Sequence, residues 1–494
     1  MAEPVERPTD EPLNRWGGWK TPKYLKRGSG ADDLRLVAGS AVLGLVVAAG
    51  AVLAAGPWDS GQRKAERDLA AVQQHSGGAH HEEGAPDGPA PAPSAPAVLG
   101  ALGTAEGLTT AAGAGDLKAA LTPLLDVPAL GSVRTGVVVD TATGKQVYAR
   151  GAGTPMTPAS TVKIATTAAA LSALGPDHRI ATKAVLSPDS RTLTLVGGGD
   201  PTLGEADLRA LARGTARALQ DAGTATVRLA YDTSRYSGPA LHPIGPNENI
   251  APVSALMADE GRLDESRKGP APRSSDPAGD AARAFSDLLT DAGVTVRSAP
   301  ASGRAVQGSR TVATHLSQPL SALVERALTN SDNDIAEALA RQTALKAGEP
   351  ASFAGARRAV TARMKALGLP LAGTRFADGS GLDRADKVTA GLLAQLLALA
   401  AGPDHPELRP VLTGLPVAGF SGTLGDRYTA TSPATGLVRA KTGTLTGVNS
   451  LAGTAVDAQG RLLSFAFLAS GTTSPGDAEA SLDTLATTLT KGGR

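Results

Sequence analysis

The 494-residue sequence predicts an α+β fold in which an antiparallel sheet is covered by helices. Two observations predict it. Strand signals cluster at both ends of the folded body, at 132–149 and again over 436–470, and helical stretches occupy much of the middle. Aromatic residues make up only 3% of the chain while glycine reaches 59, so the core must be built from Ala, Val and Leu in close-packed helices and strands. The absence of Cys rules out disulfides, thiolate zinc sites and a Cys nucleophile. A net charge of +1 gives no overall bias toward nucleic acid.

Taken from the N-terminus, residues 36–56 (LVAGSAVLGLVVAAGAVLAAG) carry no charge and have the length to span a hydrocarbon core of about 30 Å as a helix. Arg15, Lys20, Lys23, Lys26, Arg27 and Arg35 precede them, an excess that puts the N-terminal side in the cytoplasm. The expectation is a cytoplasmic tail (1–35), one transmembrane helix (36–58) and a catalytic body outside the cell membrane. Secretion after signal cleavage is the alternative, but the long polar lead and the long apolar run favour an uncleaved anchor. Residues 59–114 include GAPDGPAPAPSAPAVLG (84–100), which cannot bury a core and reads as a disordered spacer. His75, His80 and His81 fall in it. A solvated linker explains them better than metal capture, because a flexible site must first be ordered.

The body begins near residue 115. SVRTGVVVDTATGKQVYA (132–149) reads as two strands joined by a turn at Gly144. A loop with Pro155 and Pro158 leads to a helix starting near Ser160 and stopping at Gly175-Pro176. IATKAVLSPDSRTLTLVGGGDPTL (180–203) alternates like a hairpin, EADLRALARGTARALQDAG is helical, TATVRLAYD is a strand, and the alternation continues to about Val296. Helices are predicted at 318–328 and 333–345, on either side of TNSDND, and at 353–367. The glycines of FADGSGLDRAD (376–386) need a loop. TAGLLAQLLALAAG is helical, GLVRAKTG, NSLAGTAVD and RLLSFAFLAS are strands, and a last helix covers about 476–490.

Three short motifs carry chemistry. Ser160 is the only serine followed three residues later by a lysine, Lys163. A serine hydroxyl needs a base to become a nucleophile. The body's histidines are His178, His242, His315 and His405, and no G-x-S-x-G elbow occurs, so a Ser-His-Asp hydrolase has no support. A lysine held neutral by burial or by nearby positive charge can serve instead, and residues i and i+3 share a helix face. Taken alone, the pair is more commonly an N-cap serine and a solvated lysine. Ser331-Asp332-Asn333 sits in a loop between helices. Ser331 can relay a proton to a leaving group and Asn333 can hold Lys163 and a substrate amide; helix capping by Asp332 or Ser331 is the plain alternative. Lys441, Thr442, Gly443 and Thr444 lie on a predicted strand. They offer a positive charge, two hydroxyls for a carboxylate and a glycine that admits substrate to the strand edge; a strand-edge lysine before a turn is the alternative.

In the order S-x-x-K, S-x-N, K-T-G, these motifs resemble the active-site set of penicillin-binding proteins and serine β-lactamases. GGGDPTL (197–203), PVSAL (252–256), FADGSGLDR (376–384), PVAGFSGTL (416–424) and RAKTGTLTGVNSLAG (439–453) narrow the resemblance. Over roughly 115–490 the chain resembles the low-molecular-mass class C penicillin-binding proteins, the D-alanyl-D-alanine carboxypeptidase/endopeptidase family. The resemblance implies a serine β-lactamase/penicillin-binding-protein-like transpeptidase domain (115–183 and 306–494) with an inserted smaller α/β domain (184–305). The insert is shorter than in members with two extra domains, which leaves insert-borne docking without support.

The resemblance also implies roles. Ser160 attacks the carbonyl between two terminal D-alanines of a peptidoglycan stem peptide and Lys163 takes its proton. The N–H groups of Ser160 and Thr444 form the oxyanion hole, Ser331 and Lys441 pass a proton to the departing amine, and water releases the acyl-enzyme. No metal or organic cofactor is needed, and β-lactams acylate Ser160. YDTSRY (231–236) resembles the segment whose aspartate reads the side-chain amine of the peptide, which makes Asp232 the candidate; a strand-end turn residue is the alternative. Two rival functions stand beside this one. For a serine β-lactamase, EGRLD (260–264) resembles the class A glutamate motif, yet it precedes Ser331 where that motif should follow. A silent wall-binding protein is opposed by the intact nucleophile, base and K-T-G.

Overall fold

The computed structural model describes residues 114–491. The expected tail, membrane span and, up to residue 113, linker lie outside the described residues. Among the described residues no helix is long and apolar enough to cross a membrane.

The first half contains α1 (Ala114–Leu125), β1 (Val133–Asp140), β2 (Gln146–Arg150), α2 (Lys163–Leu174), β3 (Ala181–Leu186), β4 (Thr192–Val196), α3 (Glu205–Asp221), β5 (Thr226–Asp232), α4 (Pro277–Asp291), β6 (Thr295–Val296), β7 (Ala301–Ser302) and β8 (Arg310–Leu316). The second contains α5 (Leu320–Thr329), α6 (Asn333–Lys346), α7 (Phe353–Ala366), α8 (Ala390–Ala401), α9 (Arg409–Thr413), β9 (Val438–Leu445), β10 (Val448–Val456), β11 (Leu462–Ser470) and α10 (Pro475–Thr490).

The main sheet has the order β2-β1-β11-β10-β9 and is antiparallel throughout. Its period-two alternation divides the core. Leu463, Phe465, Phe467 and Ala469 of β11 pack with Leu117, Leu121 and Leu125 of α1 and Leu482, Leu485 and Leu489 of α10. Ala466 and Leu468 face the other way, toward α2, α5, α6 and α8. Joining the two chain ends in one sheet makes β9 an edge strand, and its free edge lies where the turn carrying Ser160 arrives.

The second sheet has the order β6-β5-β4-β3-β8, with β7 also on β5. Pairing is antiparallel at β3–β4 and β3–β8 but parallel at β4–β5 and β5–β6. Helices α3 and α4 cover it through Leu208, Leu211, Leu219, Ala281, Phe285 and Leu289. It runs from Ala181 to Leu316, past the expected 184–305 bounds at both ends.

The structure differs from expectation at three places. Strand β8 was not anticipated, because its partly exposed run RTVATHL sits among polar, glycine-containing residues. The helix expected from Ser160 starts as a 3₁₀ turn (Ala159–Val162), with α-helix only from Lys163. Residues 233–276 carry one 3₁₀ turn and otherwise no helix or strand; six prolines there deny the chain regular backbone donors. This irregular segment leaves the second sheet and packs against the catalytic half.

Candidate active site

Ser160 sits in the 3₁₀ turn, where residues i and i+3 eclipse. Ala159 before it takes φ 48, a left-handed conformation costing about 1 kcal/mol or more for a residue with a Cβ. The turn is tied down at Pro158, whose carbonyl accepts from Thr161 Oγ1 and Ser450 Oγ, both at 2.7 Å.

Lys163 is fully buried. Its Nζ lies 3.0 Å from Ser160 Oγ, 2.7 Å from Asn333 Oδ1 and 2.6 Å from the Ser380 carbonyl. Burial pulls its pKa down to about 8, against the opposing pull of Asp378, Asp332, Glu337 and Asp386. A neutral amine has two hydrogens and one lone pair. Asn333 Oδ1 and Ser380 O can only accept, so they take both hydrogens. The lone pair is left for the one partner able to donate, the Ser160 hydroxyl.

Asn333 is the first residue of α6. Its Nδ2 donates to Asn249 O at 2.9 Å, which turns Oδ1 toward Lys163. Asp332 caps the helix through Ile335 N at 3.0 Å, so the capping alternative holds for Asp332 alongside the Asn333–Lys163 contact. Ser331 is half-buried at φ 58. Asp334, Asp332 and Glu260 form a buried cluster met by arginines: Arg273 lies 3.0 Å from Asp334, Arg262 lies 2.8 Å from Glu260, and Arg326 also pairs with Glu260. Glu260 of EGRLD thus sits beside Asp332 of the S-D-N turn, its charge met by Arg262 and Arg326. Burial and Asp332 push Glu260 up to about 7.

On β9, Ala440 N donates to Pro416 O and Ala418 N to Val438 O, so backbone groups of 438 and 440 face the outer edge. The period of two puts the N–H and C=O of Thr442 and Thr444 on that same edge. Side chains alternate likewise. Val438 and Ala440 join the core shared with α10, which leaves Lys441 and Gly443 facing the turn that carries Ser160. A Cβ on Gly443 would lie 2.7 Å from Pro158 O and 3.1 Å from Ser160 N. Thr442 Oγ1 donates to Thr423 Oγ1 and Thr444 Oγ1 to Glu479 Oε1, each at 2.8 Å. Lys441 is fully buried and donates to Thr442 O at 2.8 Å. Burial, then Lys163 and Arg427, hold its pKa well below the usual lysine range.

Several residues that sequence reasoning did not single out support this centre: Ser380, Glu337, Asp378, His242, Asn249 and Thr423. Glu337 Oε1 accepts from Gly379 N at 2.8 Å and Ser380 N at 2.9 Å. Asp378 accepts from Ser380 Oγ, Gly381 N and Asp383 N. His242 Nε2 lies 2.9 Å from Asp378 Oδ2. His242, Glu337 and Asp378 bring donor atoms within 4.8 Å of one another, but His242 is hydrogen-bonded to Asp378, and Glu337 and Asp378 both accept from the 379–383 turn, which marks a polar network rather than a metal cage. The available signal was FADGSGLDR and PVSAL, which stood out as family-like segments without assigned roles.

Asp232 is not part of this set. It ends β5 in the second sheet, and its two carboxylate oxygens accept from Ser234 N at 2.8 Å and Ala305 N at 2.9 Å. Burial pushes its pKa up, but these backbone hydrogen bonds outweigh it and the net shift is downward.

The sequence matches the model of the D-Ala-D-Ala carboxypeptidase 3 (S13) family over residues 117–272 and 264–491. The chain belongs to this family. It is 38% identical over 423 residues to a carboxypeptidase of Mycobacterium tuberculosis, covering 81% of this chain and 89% of that one. Carboxypeptidase DacB of Mycolicibacterium smegmatis is 37% identical over 433 residues, with 82% and 90% covered. A D-alanyl-D-alanine carboxypeptidase of an Actinomadura species is 30% identical over 466 residues, with 76% and 85% covered. The solved structure of penicillin-binding protein 4 (dacB) from Haemophilus influenzae superposes with a TM-score of 0.63 at 22% identity, over 75% of this chain and 98% of that one. That likeness establishes a shared fold for the S13 chain described above.

Proposed function

We propose that Ser160 is the nucleophile and Lys163 the general base of a serine-type D-Ala-D-Ala carboxypeptidase acting on peptidoglycan stem peptides. The observation that carries this reading is the set of three partners around Lys163 Nζ, which satisfies a neutral amine and aims its lone pair at Ser160 Oγ. The stem peptide lies along the free edge of β9, pairing with the outward backbone groups of Thr442 and Thr444. Ser160 Oγ attacks the carbonyl between the two D-alanines as Lys163 takes the proton. The N–H groups of Ser160 and Thr444 hold the oxyanion, each worth about 3–4 kcal/mol in comparable sites. Ser331 and Lys441 carry the proton to the departing D-alanine amine, and water then releases the acyl-enzyme. Asn333 holds Lys163 and the substrate amide.

The two buried lysines also explain how substrate readies the base. Two neighbouring cations under burial are costly, which fits the depressed pKa of Lys441. A substrate carboxylate arriving at Thr442 and Lys441 gives Lys441 a counter-ion. Lys441 then carries the charge, and Lys163 is left neutral.

β-Lactams present a similar carbonyl and carboxylate and acylate Ser160. The Haemophilus influenzae protein has also been solved in complex with a β-lactam, in a structure that superposes with a TM-score of 0.60 at 22% identity. We place the catalytic body outside the cytoplasmic membrane, held by residues 36–58 as a single-pass anchor; the charge asymmetry around that run supports it. Incubation of wild-type protein and Ser160→Ala with a fluorescent penicillin, followed by intact mass, tests the nucleophile. A lasting adduct on wild type alone is expected. Rapid turnover of the adduct would put a β-lactamase ahead, and absence of any adduct would put a silent wall-binding protein ahead.

A further inference from the structure

Asn333 and Glu337 lie four residues apart on α6 and so share one face of the helix. Both act on Lys163. Asn333 does so directly, and Glu337 does so through the 379–380 peptide. We propose that Glu337 is a positioning residue for the base: its carboxylate aims the Ser380 carbonyl at Lys163, and its charge sets the pH at which Lys163 gives up its proton. The proposal rests on the reading of Lys163 as the base.

The geometry is specific. Glu337 Oε1 accepts from two successive amides, Gly379 N and Ser380 N. The next carbonyl along, Ser380 O, is the one Lys163 contacts at 2.6 Å. Thr166 Oγ1 of α2 holds the Gly379 carbonyl at 2.8 Å, so the peptide is gripped from two helices. Gly381 completes the turn at φ +85, where a Cβ would lie 2.1 Å from Ala159 O; the turn abuts the strained residue before the nucleophile. None of these groups reaches the open edge of β9, so Glu337 acts through the turn and not on substrate.

The second oxygen, Glu337 Oε2, is buried and has no hydrogen-bond partner. A buried carboxylate oxygen without a donor is costly when ionised and less so when it carries a proton. Asp378 of the 376–386 loop, His242 of the irregular segment and Arg341 one turn on in α6 face this carboxylate, while Asp332 at the helix cap, Asp378 and Asp386 join Glu337 in facing Lys163 on α2. Burial, then Asp378, push Glu337 up to about 7. Near neutrality the group therefore exists in two charge states beneath the base. An ionised Glu337 favours the cationic lysine, and a protonated one favours the neutral lysine.

The test is the pH profile of acylation. The second-order rate of labelling by fluorescent penicillin is measured from pH 5 to 10 for the full chain, Glu337→Gln and Glu337→Asp, with melting curves run alongside. Wild type should rise through a limb near pH 8. Glu337→Gln removes the charge, so Lys163 loses a stabilising anion and its limb should move down by about one pH unit. Its side-chain carbonyl can still accept from Gly379 N and Ser380 N, so its plateau should stay near that of wild type. Glu337→Asp keeps the charge but shortens the reach, so its limb should stay in place while its plateau falls. A Gln limb that does not move, or an Asp variant with a wild-type plateau, overturns the proposal. Should Glu337→Gln fail to fold, the Asp plateau still decides the positioning role. A separate variant, Lys163→Met, isolates the underlying reading: if it acylates with the wild-type profile, the base assignment fails whatever Glu337 does.

Discussion

Replacing Gly443 by alanine tests whether β9 and the nucleophile turn are as tightly matched as the structure shows. The added Cβ would lie 2.3 Å from Ser450 Oγ, 2.7 Å from Pro158 O and 3.1 Å from Ser160 N. Ordinary contact begins at 3.4 Å, so Pro158 O must retreat by about 0.7 Å or the strand must. Pro158 O is backbone, and it is fixed by Thr161 and Ser450, so it cannot swing away like a side chain. Overpacking of this kind costs about 1–3 kcal/mol of stability. A displacement of the order of 1 Å at a reacting group costs about 100-fold in rate. Gly443→Ala should therefore fold with a lowered melting temperature and acylate roughly 100-fold more slowly. The readouts are the second-order labelling rate and a thermal melt. Acylation of Gly443→Ala within twofold of wild type would refute the close packing of strand and turn on which the oxyanion hole depends.

Three further outcomes are expected. Breaking the buried Arg273–Asp334 pair by Arg273→Ala should cost about 3–5 kcal/mol, because Asp334, already pushed well above the usual carboxylate range by burial, is left beside Asn333 without its cation; denaturant unfolding reads the stability and labelling reads the accompanying loss of acylation. The stability that Glu337 and Glu260 contribute should fall as pH rises from 5 to 8. Glu337 and Glu260 are both raised to about 7, chiefly by burial. Each contributes stability that is full below its unfolded value near 4.5 and lost as pH climbs through 7. Burial lowers His242, but the Asp378 contact outweighs it and raises it overall, so its contribution is full below 6.5 and is lost as pH climbs through the raised value. A change in melting temperature from pH 5 to pH 8 that is the same in Glu337→Gln as in wild type would contradict this. Asp232→Asn should lower the melting temperature, since the carboxylate serves Ser234 N and Ala305 N, and leave penicillin labelling unchanged; a selective loss on peptides with a free side-chain amine, against their acetylated forms, would restore the substrate-reading role.

What could be read from the sequence follows from how local each signal is. Helices α3, α5, α6, α7 and α10 and strands β1, β9, β10 and β11 announce themselves through their own periodicity, and the ends fall within a few residues of expectation. Strand β8 and the 233–276 segment lack such a period, and their places depend on partners far along the chain. The site divides in the same way. Ser160 and Lys163 are three residues apart, and Asn333 and Gly443 sit in short motifs, so residue type and order were enough to single them out. Ser380, Glu337, His242 and Asn249 become meaningful only when four separate segments meet at Lys163. This has a physical reason: a neutral lysine must have both hydrogens taken by fixed acceptors, and a fixed acceptor must itself be held. Asn333 Oδ1 is held by the Asn249 carbonyl and Ser380 O by Glu337. The motif supplies the reacting atoms, while the groups that fix their protonation come from wherever the fold can bring a buried carbonyl or carboxylate.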